Sequence, residues 1–252
     1  MVILAIIQAR TGSARLPGKM MKYIGDKTII HHCIDQVKRA RKVDRVVVAT
    51  TTGGEDDKLV EMVKQSKCDV ARGSSEDVLD RFYQAAKERN ATTIVRVNGD
   101  CPFIDPVLID ETVQFFLDHH DEYDYVSNVH PPSVPDGYDV EVFTYEALER
   151  ACRTADMKSQ REHVTSAIWE HPESYRVGVF RHGEDLSHIR IVVDEQEDLE
   201  MLREIHAKLN GKAINLVNVM DVIRAYPDLL EINRKYKREE GYRKSLAEDR
   251  KV

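Results

Sequence analysis

The sequence predicts an α/β protein built on a doubly wound, mostly parallel sheet, and three observations carry that expectation. Short β-branched runs alternate with longer segments of helical period, the pattern of strands joined by crossover helices. The strand runs are apolar throughout, as strands covered on both faces must be. A length of 252 residues with 42% hydrophobic content suffices for one sizeable core and falls short of two enzymatic domains, so residues 1–252 are read as one domain.

The elements follow in order. Val2 to Gln8 is a continuous apolar strand, and similar runs recur at Arg45–Ala49, Thr93–Val97 and Ile189–Val193. Between them, Thr28 to Ala40 places Ile29, Cys33, Val37 and Ala40 on one helical face. Glu55 to Gln65, Asp77 to Arg89 and Pro106 to Leu117 are read as further helices, the last opening with Asp105 as N-cap and Pro106 at N1. From about residue 124 to 180 the pattern changes. Strand-like YDYVSN and YDVEVF flank the turn-rich HPPSVPDG, two helical stretches follow, and YRVGVF closes the segment. It is expected to form a lid or dimerisation subdomain over the sheet. The C-terminal KYKREEGYRKSLAEDRKV mixes both charge signs and reads as a solvated helix end or frayed tail.

Composition excludes several classes. With 44 acidic against 37 basic residues the net charge is −7, so no chain-wide positive field recruits nucleic acid or an anionic membrane. The opening apolar run is short and lacks a small-residue cleavage site, and no stretch is long enough to span a bilayer. Cys33, Cys68, Cys101 and Cys152 lie far apart without a CxxC pair, as expected of reduced, buried thiols in a cytoplasmic protein.

The most informative stretch directly follows the first strand: Ala9-Arg10-Thr11-Gly12-Ser13-Ala14-Arg15-Leu16-Pro17-Gly18-Lys19. In open α/β sheets ligands sit beyond the carboxyl ends of the strands. The cations Arg10, Arg15 and Lys19 would repel one another without an anion, the glycines let backbone N–H groups approach phosphate oxygens, and Ser13 adds a hydroxyl donor. A Walker A loop is excluded: five residues separate Gly12 from Gly18, and Met20 follows Lys19. The bland alternative is a solvated basic turn.

The run IIQARTGSARLPGKMMKYIGDKTIIHH resembles the N-terminal signature of the sugar-acid cytidylyltransferases, and the whole chain is similar to the spore-coat polysaccharide (SpsF-like) branch of that group. VVVATTTGGEDD, ARGSSEDVLDRFYQAA, VRVNGDCPFIDP, VSNVHPPSVPDGYDVEVF, REHVT and DLSHIRIVVDEQEDLEM follow in order, to about Leu209. The resemblance implies a Rossmann-like, three-layer αβα nucleotide-diphospho-sugar transferase fold. It also implies a homodimer and transfer of CMP from CTP to a small acidic acceptor, a keto-sugar acid by default, with release of pyrophosphate.

Asp100, in Asn98-Gly99-Asp100-Cys101-Pro102 after the strand TIVRV, is the first candidate ligand for Mg2+, which favours one or two carboxylates plus substrate phosphates. Asp194, ending IRIVV, resembles the family's second metal aspartate; Asp198 fits the first turn of the next helix. The resemblance puts base and ribose near Thr50-Thr51-Thr52, Arg72-Gly73-Ser74-Ser75 and Asp80-Arg81. Asn98 is a candidate for ribose or acceptor, or a cap. Asp136, Asp139 and Glu141 are candidate binders of acceptor hydroxyls, and Arg161 and His163 of an acceptor anion, with His163 also a candidate base; each could equally be a surface charge. Two rivals stay open: a glycosyltransferase of the same fold class, against which the chain shows Gly-Asp-Cys-Pro in place of DxD, and a nucleotide-binding module without catalysis.

Overall fold

The structure is a computed structural model that describes residues 1–238 and 240–252. In chain order it runs β1 (Ile3–Gln8), β2 (Tyr23–Ile24), β3 (Lys27–Thr28), α1 (Ile29–Lys38), β4 (Arg45–Thr51), α2 (Asp57–Gln65), β5 (Asp69–Gly73), α3 (Val78–Glu88), β6 (Thr93–Asn98) and α4 (Pro106–Asp118). Then come β7 (Tyr125–Ser127), β8 (Glu141–Thr144), α5 (Tyr145–Thr154), α6 (Lys158–His163), α7 (Ser166–Trp169), β9 (Val177–Val179), α8 (Gln196–Leu209), α9 (Leu216–Ala225) and α10 (Glu240–Ala247). No helix among the described residues is long and apolar enough to cross a membrane.

The main sheet has the order β5-β4-β1-β6-β8-β7-β9. β5, β4, β1 and β6 are parallel, β8 is antiparallel to both β6 and β7, and β9 is parallel to β7. Alternate residues of β1 feed two cores. Ile3, Ala5 and Ile7 pack with residues of α1, α2, α4, α8 and α9; Leu4 and Ile6 pack with those of α3, α5 and α7. The fold is therefore the three-layer, mostly parallel α/β arrangement. The strands within residues 124–180 extend the main sheet.

Two readings are corrected. Ile189–Val193 is extended and largely buried but joins no strand ladder: one bridge, Asp136 to Arg190, ties it to the loop before β8. Its remaining backbone bonds go to loops, as in Val193 N–H to Asp100 O at 2.9 Å. Gly137 (φ +104°) permits this approach, since a Cβ there would stand 2.6 Å from the Ile191 carbonyl. The second correction concerns the C-terminus, which is no frayed tail. Val252 N–H bonds Asp156 O, Lys158 N–H bonds Arg250 O, and Asp249 accepts from Ser159.

Candidate active site

The sheet changes winding direction between β1 and β6: β4 and β5 lie to one side of β1, and β6 to the other. That switch point is where α/β sheets bind ligands. Gly99 closes it from below. Its N–H donates to Gln8 O at 2.8 Å, and a Cβ would sit 2.9 Å from Ala9 Cβ, so only glycine lets the two strand ends meet this closely.

The basic loop leaves β1 at Ala9, whose N–H bonds Ala49 O. It is anchored by a residue with no obvious sequence signal. The buried Asp56 carboxylate accepts from Thr11 N–H (2.7 Å) and Oγ1 (2.5 Å), from Thr50 Oγ1 (2.7 Å), and from Thr51 N–H (3.0 Å) and Oγ1 (2.6 Å). Burial alone would raise its pKa, but these donors outweigh burial and hold it at about 2. A depressed carboxyl stabilises the fold above its unfolded pKa and ceases to as pH falls through its folded value. Between pH ~5 and ~2 the wild type is therefore expected to lose about 2 kcal/mol more stability than Asp56→Asn, read by denaturant melts. Parallel pH dependence in the two proteins would refute the anchor.

At the centre, Lys19 is buried with its ammonium between the two aspartates that the sequence places 94 residues apart: Nζ lies 2.7 Å from Asp100 Oδ2, 2.8 Å from Asp194 Oδ1 and 3.0 Å from Val193 O. Burial lowers the Lys19 pKa, but Asp100 and Asp194 more than offset it and leave it raised. Burial likewise opposes ionisation of Asp194, and Lys19, Arg15 and Arg190 override it. Arg15 pairs with Asp194 at 2.8 Å. Beneath them Arg190 binds Asp136 (2.9 Å), Asp194 (3.3 Å) and Asp198 (2.8 Å). Asp198 sits in the first turn of α8 and receives the N–H groups of Asp194 and Glu195, which fixes the backbone that presents Asp194.

One crevice runs past this centre in two halves. The first is lined by Ala9, Arg10, Gly12, Ser13, Arg15 and Lys19 on the loop side, with Lys158 and Lys244 opposite. The Gly18 N–H is already used by Thr11 O, and Ser13 Oγ by Leu16 N–H. The second half is lined by Arg96, Asp136, Asp139, Glu141, Arg190, Trp169, Arg238 and Tyr242. Asn98, Asp100, His163 and Asp194 border both.

In the second half Arg96 pairs with Glu141, and Arg238 with Asp139. Burial would raise the Glu141 pKa, yet Arg96 keeps it below the usual range. Burial and the neighbouring Asp139 push Asp136 up to about 7, and burial raises Asp139 despite Arg238. Burial lowers His163 to about 4, so its imidazole is neutral at physiological pH and a poor proton acceptor. Its Nε2 lies 2.9 Å from Ser245 Oγ.

Four expected contacts are not brought to the crevice. Thr50 is buried against Asp56. Arg72 is bound to Thr51 O, Gly53 O and Asp57. Arg81 is buried with a guanidinium bond to Ser74 O, and burial, with Arg10 adding, lowers its pKa to about 10. Arg161 pairs with Asp77 at 2.6 Å and with Cys152 O, tying α6 to the start of α3. Conversely, sequence reasoning passed over Asp56, Arg96, Arg190 and Arg238; a lone arginine inside each apolar run, TIVRV and IRIVV, was the available signal for two of them.

A cationic glycine loop at the switch point, facing paired carboxylates from two further segments, defines a nucleotide-binding α/β protein of the phosphate-handling kind. The cytidylyltransferase family model matches residues 4–221. An uncharacterised protein of Methanocaldococcus jannaschii is 37% identical over 96% of this chain and 98% of its own. The spore coat polysaccharide biosynthesis protein SpsF of Bacillus subtilis is 32% identical over 90% and 95%. A solved cytidylyltransferase from Leptospira borgpetersenii superposes with TM-score 0.88 at 33% identity, over 91% of this chain and 97% of that one. The chain belongs to the cytidylyltransferase family. It is a CTP-dependent nucleotidyltransferase.

Proposed function

We propose that the protein transfers CMP from CTP to a small acidic, sugar-like acceptor and releases pyrophosphate, the acceptor being a keto-sugar acid. The observation that carries this reading is the meeting of a cationic half and a carboxylate-rich half of one crevice at Lys19, Asp100 and Asp194. An acceptor oxygen attacks the α-phosphorus in line, and pyrophosphate leaves from the opposite side. Arg10, Arg15 and Lys19 hold the phosphates and offset the charge growing on the leaving group. Asp139 and Glu141 orient acceptor hydroxyls, and Asn98 serves the ribose or the acceptor. Asp136, with its proton affinity near neutrality, takes the acceptor's proton, so turnover falls as pH drops below about 7.

The donor set suits magnesium. Asp100 and Asp194 offer hard oxygen ligands that reach a common point, as their contacts with one ammonium demonstrate. Bound there, Mg2+ supplies further charge neutralisation at the phosphates. The test is pyrophosphate release from each of the four NTPs with magnesium across a panel of keto-sugar acids. CTP is expected to exceed ATP, GTP and UTP by at least about tenfold, the scale of lost base contacts. Equal turnover with all four would sink the cytidylyl preference, and failure of every acid would sink the acceptor class.

A further inference from the structure

Around the crevice nearly every cation is already engaged by the protein's own acids: Arg15 with Asp194, Lys19 with Asp100, Arg96 with Glu141, and Arg238 with Asp139. Lys158 and Lys244 differ. Both line the phosphate half, facing the loop of Arg10 and Ser13, and neither side chain makes a hydrogen bond or ion pair among the described residues, nor does that of Arg10. The acids nearby do not fill the gap: Glu162 accepts from Ser245, and Glu240 from the Lys237 N–H. Lys158 opens α6, and Lys244 lies on α10, which packs against α6. The clips that join the C-terminus to residues 156–159 hold these two lysines on one wall.

Unpaired ammonium groups across a cavity from a third unpaired cation, in a chain of net charge −7, match a ligand segment that brings several negative charges at once. We propose that Lys158 and Lys244 form a second jaw that grips the β- and γ-phosphates of CTP from the side opposite the glycine loop. This deepens the proposed function and rests on its placing of the triphosphate in this half. It also assigns the C-terminal helix a binding role.

The test is calorimetric titration of the full chain with CTP and, separately, with CMP, alongside thermal melts. Lys158→Ala/Lys244→Ala is expected to raise the Kd for CTP about tenfold while leaving that for CMP within about twofold, because CMP lacks the phosphates the jaw would hold. Lys158→Arg/Lys244→Arg is expected to restore CTP binding. Both lysines are exposed and unpaired, so melts should match the wild type. CTP affinity within twofold of the wild type in the alanine variant, or equal losses for CTP and CMP, would overturn the jaw. If instead the wild type binds CTP no more tightly than CMP, the triphosphate does not occupy this half, and the functional reading falls with the jaw.

Discussion

Lys19→Ala and Arg15→Ala are each expected to lower kcat/KM for CTP by about 10²–10³, the scale of removing one preorganised charge-stabilising donor. The two should separate in stability. Lys19 is buried against two carboxylates, and removing one partner of such a cluster leaves uncompensated charge worth about 3–5 kcal/mol. Arg15 is more exposed, its side chain 40% accessible, and its loss should leave the melt nearly unchanged. Lys19→Ala kinetics are therefore to be measured well below its own melting temperature. Near-wild-type turnover by folded Arg15→Ala would mean that Arg15 serves only Asp194 and Glu195.

The second large effect concerns the pair of aspartates. Asp100→Asn and Asp194→Asn should each weaken magnesium dependence and reduce kcat by about 10² or more, with CTP still partly bound through the loop. The double variant should cost little more than either single one, because residues that act on a single ion are non-additive. Each single variant also removes a counter-charge from Lys19, so a melt is needed beside every rate. Should the double variant lose the product of the two single losses, the carboxylates act independently and share no ion.

Much of this site was legible because its chemistry is contiguous or obeys a rule of topology. The loop from Ala9 to Lys19 carries its cations and glycines within one short run, and its place after a buried strand predicts the crevice. Asp100 and Asp194 were legible from segment ends, although Ile189–Val193 proved to be extended backbone without a ladder. Burial leaves a mark in sequence, whereas a missing hydrogen-bonding neighbour leaves none. Thr50, Arg72, Arg81 and Arg161 misled for a different reason. Their side chains suit a ligand, but carbonyls and carboxylates of the scaffold already occupy them, and a single sequence does not reveal which partner a polar group finds. The C-terminal residues were opaque because α10 carries no apolar face for periodicity to detect.

That helix has no buried residue; hydrogen bonds, ion pairs and the ring of Tyr242 against Trp169 hold it in place. An element that shields so little apolar surface has a small free-energy gap between docked and undocked forms, far below that of the sheet. Amide protons of α10 should therefore exchange with solvent well before those of β1 or β6. Such an element can swing aside for nucleotide entry and product departure without disturbing either core, so the passage of ligands is decoupled from the rigidity that aligns Lys19, Asp100 and Asp194.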